Sequence, residues 1–347
     1  MSTPTARADA PTPHIGWVGL TSGVVALLAA AILGSVVGAA GIDPSAVVRE
    51  LLDSLPGISL ESGLTEVQQS ILWEIRLPRV VLGAVVGAVL AAAGASYQGV
   101  FRNALADPYL LGVAAGAGLG ATVVFATTDD RAYLAPLAFL GGLVAVGLTY
   151  LLGRTVGGRS ATSLILAGVA VAAFATAVQT YILQRNVETL REVYAWILGR
   201  LTTVGWGDVI GLAPYAVVAT VVLLGASRRL DVLSIGDDEA RALGVNVTVV
   251  RGVVVVAATL ATAGAVSVSG LIAFVGIIVP HAIRLLFGWS YRAILPLSVL
   301  FGAAFLMLAD IAARTVVSPA ELPIGVVTAF LGAPFFLLVL RTMRGPT

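Results

Sequence analysis

Long apolar runs broken by short charged segments organise this chain. Ten such runs stand at 15–40, 80–101, 109–127, 132–152, 161–183, 208–226, 251–269, 271–287, 293–313 and 323–340. Most approach the roughly 20 residues that an α-helix needs to cross a bilayer. They are continuous rather than alternating, so helices are expected and a transmembrane β-barrel is not. No charge separates the seventh run from the eighth. The pattern predicts an all-α polytopic membrane protein of about ten spans. Residues 1–14 are polar and rich in Pro and Thr and are expected to form a disordered tail. The membrane domain is set at 15–341, with a second tail at 342–347. The first run is too long, and its flank too poor in basic residues, for a cleaved leader.

Three polar segments interrupt the runs. In 41–79, Asp43 and Pro44 supply an N-cap and N1 pair for a short helix, SAVVRELLDSL. In 184–207, Tyr194 and Trp196 sit among mixed charges, as suits a membrane interface. In 227–250, Asp237, Asp238 and Glu239 follow Gly236, and Gly244 stands where a C′ glycine stops a helix. A helix of about two turns is expected over 236–244, with Ala240 and Leu243 on one face. Such a segment reads either as a solvated connector or as a docking element of small and apolar residues flanked by charge.

Residues 76–120 carry the densest pattern. Arg76 and Arg79 bracket Pro78 at the mouth of the second run, where Gly83, Gly87, Ala91, Gly94 and Ala95 recur at helical spacing. In lipid, small residues let helices approach closely, because apolar surface alone gives no drive between them. A polar hairpin, Arg102 to Pro108, follows, with Asp107 and Pro108 expected to begin the next helix.

Charge sets the orientation. With both termini cytoplasmic, the segments on that side hold twelve of the 20 basic residues and six of the 19 acids, in the sense of the positive-inside rule. Every basic residue is arginine, and there is no cysteine. Disulfides, thiolate metal sites and thiol nucleophiles are thereby excluded. A Walker A loop requires its lysine, so this chain cannot hold one, and any ATP that drives it is bound by a partner.

Few residues could carry chemistry within the spans. Asp310 is the acid inside a span, where ionisable groups default to a functional hypothesis. Arg314 lies at i+4 and offers a structural pairing instead. His281 follows Pro280 with no second histidine or carboxylate at metal-ligand spacing, so no metal site is assigned. Pro280, Pro296, Pro323 and Pro334 read as kinks or helix starts.

The hairpin and its flanks, the string GLIAFVGIIVPHAIR at 270–284 and the string ELPIGVVTAFLGAP at 321–334 resemble the permease subunits of ABC importers for iron-siderophore complexes, haem and cobalamin. The 227–250 segment is similar to the G-x-x-x-A-x-x-L-G loop of such permeases, matched by Gly236, Ala240, Leu243 and Gly244. The resemblance implies the type II ABC importer permease fold. It implies a second copy of the chain, two ATP-binding subunits and an extracytoplasmic substrate-binding protein as partners, with no nucleic acid and no cofactor bound by this chain. It places a cytoplasmic gate at Asn103 and Leu105, where Ala104 replaces the family's proline, and a second constriction at Thr162 and Ser163. It assigns ATPase coupling to Gly236, Glu239, Ala240, Arg241, Leu243 and Gly244, and binding-protein docking to Arg76, Arg79 and Arg314. The last two spans most resemble the cobalamin permeases, with ferric siderophore or haem as the alternative cargo. The location implied is the cell membrane.

Two other classes compete. An ion-coupled secondary transporter needs ionisable or unwound sites near the midplane, and only Asp310 is available. An intramembrane enzyme needs a nucleophile–base or metal-ligand set, which the spans lack.

Overall fold

Apolar side chains on every face of most runs leave no polar stripe, so these helices must be buried in protein or lipid. The computed structural model describes residues 16–343 apart from 39, 40, 55, 57, 58, 158–160 and 204. The helices in chain order are α1 (Trp17–Val36), α2 (Pro44–Asp53), α3 (Glu66–Ile71), α4 (Leu77–Phe101), α5 (Val113–Thr127), α6 (Leu134–Gly157), α7 (Ala161–Arg185), α8 (Leu190–Ile197), α9 (Gly207–Gly225), α10 (Ser227–Ile235), α11 (Asp237–Ala242), α12 (Val247–Ser269), α13 (Val275–Phe287), α14 (Tyr291–Thr315) and α15 (Ile324–Met343). Among the described residues seven helical stretches are long and apolar enough to cross a membrane, and Val113–Thr127, Val275–Phe287 and Ile324–Val339 are shorter apolar stretches. Each of the ten expected runs falls on one of these. The tail expected at 1–14 lies outside the described residues, and the one expected at 342–347 is still helical at 342 and 343.

The bundle has two ends. At one, here the cap face, α2, α3 and α8 cover the helix ends. At the other, the hairpin face, lie the Arg102–Asp107 hairpin, α10 and α11.

α4 is the central post, buried along nearly its whole length against α14, α12, α13 and α9. Its glycines explain how. A Cβ on Gly87 would lie 2.2 Å from the Gly302 carbonyl oxygen of α14, and one on Gly94 would lie 2.1 Å from that of Gly276 in α13. The backbones are in direct contact, as the small-residue spacing anticipates.

Two boundaries differ from expectation. The second span does not begin at 80. Helix continues back to Glu66 through a π-helical turn at Leu72–Arg76, in which the Leu77 N–H bonds the Leu72 carbonyl. Pro78 has no N–H and crowds the carbonyl four residues back, which this wider turn accommodates. Nor does the third span begin at 109. Asp107 does act as an N-cap, accepting from the Tyr109 N–H at 2.8 Å, but it caps a 3-10 turn (Pro108–Leu111). Gly112, at φ 85°, then redirects the chain into α5.

The unmarked boundary between the seventh and eighth runs is a non-helical stretch, 270–274. Gly270 and Phe274 have positive φ. The Tyr109 hydroxyl donates to the Ile272 carbonyl and accepts from the Ile272 N–H, and the Arg200 N–H donates to the Ser269 carbonyl. Irregular backbone is tolerated between spans where protein satisfies it in this way.

Candidate functional site

At the cap face stand the three arginines to which the resemblance assigns docking. Arg76, Arg79 and Arg314 all turn inward. Arg79 donates through Nε and Nη2 to Asp310 at 2.9–3.1 Å and through Nη1 and Nη2 to Glu321 at 3.1 and 2.9 Å. Arg314 pairs with Asp310 at 3.1 Å and donates to the Val37 and Gly34 carbonyls. Arg76 donates to the carbonyls of Ser35 and Val36. The cause is plain. The chain leaves α1 in an extended conformation at Val37, whose N–H satisfies only the Leu33 carbonyl, so the last carbonyls need donors, and a carboxylate buried in α14 needs neutralising. The expected Asp310–Arg314 pairing is present. Its other partners, Arg79 and Glu321, are set by tertiary packing and have no sequence signature.

At the hairpin face Arg102 ends α4 in the left-handed region, φ 48°, where an L-residue costs roughly 1–2 kcal/mol. The turn is then locked. The Asn103 side chain accepts from the Leu105 N–H at 2.9 Å, and the Asn103 carbonyl accepts from the Ala106 N–H at 3.0 Å. This local bonding replaces the rigidity that a proline at Ala104 would give. Leu105 is half-buried.

The 227–250 segment is two helices rather than one. α10 is held by buried Leu230 and Leu233 at i and i+3. The expected coupling helix shrinks to α11, six residues closed by a Schellman motif, with Gly244 N–H to the Arg241 carbonyl and Val245 N–H to the Ala240 carbonyl. Gly244, at φ 81°, is the expected C′ residue. At the other end the Glu239 carboxylate folds over Gly236, where a Cβ would lie 2.0 Å from Oε2. Ala240 and Leu243 do not share one exposed face. Ala240 is fully buried, whereas Leu243 sits at the C-cap beyond the last helical residue and is 65% exposed. Arg241 pairs with Asp238 on the surface, a contact worth little.

Asp237 is the residue that sequence reasoning undervalued. Beyond opening α11, its carboxylate meets Arg102 of the hairpin at 3.3 Å and Arg251 of α12 at 3.2 Å. Asp231 of α10 similarly accepts from the Ser290 hydroxyl and the Tyr291 N–H, at the start of α14. Tyr291 contacts Arg284, which donates to Gln98 of α4, and Gln98 donates to the Gly276 carbonyl. The hairpin and the 227–250 segment therefore form one connected site.

The remaining candidates stand apart from it. Thr162 is exposed and Ser163 half-buried at the start of α7. That helix packs at Gly168 against the Leu110 carbonyl of the 3-10 turn. His281 is buried edge-on to Phe335, with centroids 5.7 Å apart. Among the described residues no cluster of His, Cys, Asp and Glu could hold a metal ion.

Comparison with known proteins gives this arrangement its relatives. The chain is 42% identical over 283 residues to the cobalamin import system permease protein BtuC of Halobacterium salinarum, covering 81% of this chain and 76% of that protein. It is 39% identical over 277 residues to the hemin transport system permease protein HmuU of Yersinia pestis, covering 77% and 82%. A solved metal-chelate type ABC transporter in an inward-facing conformation superposes with a TM-score of 0.82 at 30% identity, over 93% of this chain and 98% of that one. The model of the FecCD transport family matches residues 26–342, and the chain is a membrane-embedded permease of that family.

Proposed function

We propose that two copies of this chain enclose the path of an ATP-driven importer for a metal chelate, with two ATP-binding subunits on the hairpin face and a substrate-binding protein on the cap face. The hairpin face is then cytoplasmic and the location is the cell membrane. The observation that carries the reading is α11, fixed to the bundle by Asp237 and Ala240 and projecting the apolar Leu243 out of it. An exposed apolar side chain on a charged helix suits a cleft in a partner. The chain has no lysine for a phosphate-binding loop of its own.

The gate assigned to Asn103 and Leu105 fits a hairpin locked by its own side chain, with the constriction at Thr162 and Ser163 behind it. Docking through Arg79 requires a binding-protein carboxylate to exchange with Glu321, which is 43% exposed, whereas Arg76 and Arg314 support that surface from behind. Cobalamin is the cargo proposed, on the resemblance of the last two spans and on the Halobacterium relative. Competition decides it. In vesicles holding the chain with its ATP-binding subunit and binding protein, uptake of radiolabelled cobalamin should be blocked by excess unlabelled cobalamin and not by a ferric siderophore or haem. The reverse order of competition refutes the cobalamin assignment and leaves the importer reading standing.

A further inference from the structure

The two acids of the 227–250 segment attach it to different parts of the bundle. Asp231 holds α10 to the start of α14, through Ser290 at 2.9 Å, Tyr291 and Arg292 at 3.5 Å. Asp237 holds α11 to the hairpin and to α12. Gly236, at φ 152°, lies between the two attachments. A force applied at Leu243 acts about six residues, on the order of 9 Å, from Asp237. The α10 attachment lies on the far side of the glycine, so the two helices are attached separately.

On the hairpin, the residue that meets α11 is Arg102. Its side chain reaches Asp237, and its backbone begins the turn that carries Leu105. That turn moves as a unit, because Asn103 bonds both Leu105 and Ala106. The position also argues for the side chain itself. The backbone there is left-handed and suits glycine, yet the residue is arginine, and its guanidinium is the group that reaches α11.

We propose that Asp237 and Arg102 are positioning residues that convert displacement of α11 into movement of the hairpin, with Arg251 holding Asp237 in register. The link is a single ion pair, half in solvent, so it can transmit a pull without fixing either element. The inference rests on the importer reading above, in which a partner loads Leu243.

The test uses the complex of the chain with the ATP-binding subunit of its importer. The chain has no native thiol, so a cysteine in place of Leu105 is the sole labelling site. Its rate of maleimide labelling is measured with and without a non-hydrolysable ATP analogue. In the otherwise native chain, nucleotide should change the rate several-fold. Arg102→Gly relieves the backbone while removing the link. It should keep wild-type thermal stability and ATPase association, lose the nucleotide response, and lower substrate moved per ATP at least tenfold. Asp237→Asn should do the same, and Asp237→Glu should restore part of the response. A retained response in Arg102→Gly and Asp237→Asn overturns the link alone. A complex whose thiol never responds in the native background overturns the link and the importer reading together. Loss of ATPase association in Arg102→Gly shows a docking role and also overturns the link.

Discussion

Arg79 and Asp310 lie 231 positions apart and meet through three hydrogen bonds of 2.9–3.1 Å, in a pair that is buried on both sides. Arg314 shares the same carboxylate. One acid thus joins α4 to α14 where both reach the cap face, and the Arg314 guanidinium carries the connection on to the end of α1. Removing one partner of a buried pair leaves an uncompensated charge and costs about 3–5 kcal/mol. Asp310→Ala, which takes the buried carboxylate from two arginines, should lower the unfolding midpoint in detergent far more than Glu321→Gln, whose side chain is partly solvated. Equal and small shifts for the two variants would remove Asp310 from the structural role and favour a proton relay.

The glycines of α4 separate close approach from mere smallness. Gly87→Ala should destabilise by about 1–3 kcal/mol, since the new methyl meets backbone that cannot yield. Gly147→Ala in α6 has nothing within 4 Å of its Cβ and should stabilise by up to about 1 kcal/mol through helix propensity. Thermal unfolding of both variants in one detergent checks the contrast.

These two cases mark what was legible in the sequence. The ten apolar runs, the close packing along α4 and the C′ role of Gly244 follow from local pattern, because composition and spacing alone determine them. The Asp310–Arg314 pair was readable from its i,i+4 spacing. The Arg79–Glu321 contact was not, nor was the Asp237–Arg102 contact, since both join elements more than a hundred residues apart. Two of the three cap-face arginines, Arg76 and Arg314, turn inward to the free carbonyls of the last turn of α1, a cue visible only once α1 is seen to end beside them. The burial of Ala240 likewise depends on where α11 stops, one residue before Leu243.

The cap face carries a pH-sensitive contact between Glu50 of α2, outside the spans, and the start of the Glu66–Phe101 stretch. The Glu50 carboxyl is held below its ordinary range by a hydrogen bond with the Ser62 side chain, with further support from Trp73 and Gln69, while burial opposes. A carboxylate lowered on folding stabilises fully above its unfolded value of about 4.3, and the contribution is lost as pH falls through the folded value. The Trp73 component of the fluorescence, obtained by difference from Trp73→Phe, should therefore hold steady near neutrality and change below the usual glutamate range. Glu50→Gln should abolish that transition. A transition unchanged in Glu50→Gln would assign it to another group.

The hairpin gives a prediction for the pair of copies. Asn103→Ala removes the bond that locks the turn and should cost about 0.5–1.5 kcal/mol. Cysteines at position 105 should cross-link between two copies in one nucleotide state and block uptake until reduced. Absence of cross-linking in every state would place the hairpin away from the axis between copies.

Energy coupling through α11 is tested most directly by ATP-dependent uptake of labelled cobalamin into vesicles, comparing the native chain with Leu243→Asp, each with the ATP-binding subunit and binding protein. The expected result is that the purified chain alone hydrolyses no ATP, that the native complex takes up substrate only with ATP, and that Leu243→Asp folds normally but uncouples or sheds the ATPase. Uptake at the native rate in Leu243→Asp, or uptake driven by an ion gradient without ATP, would contradict it.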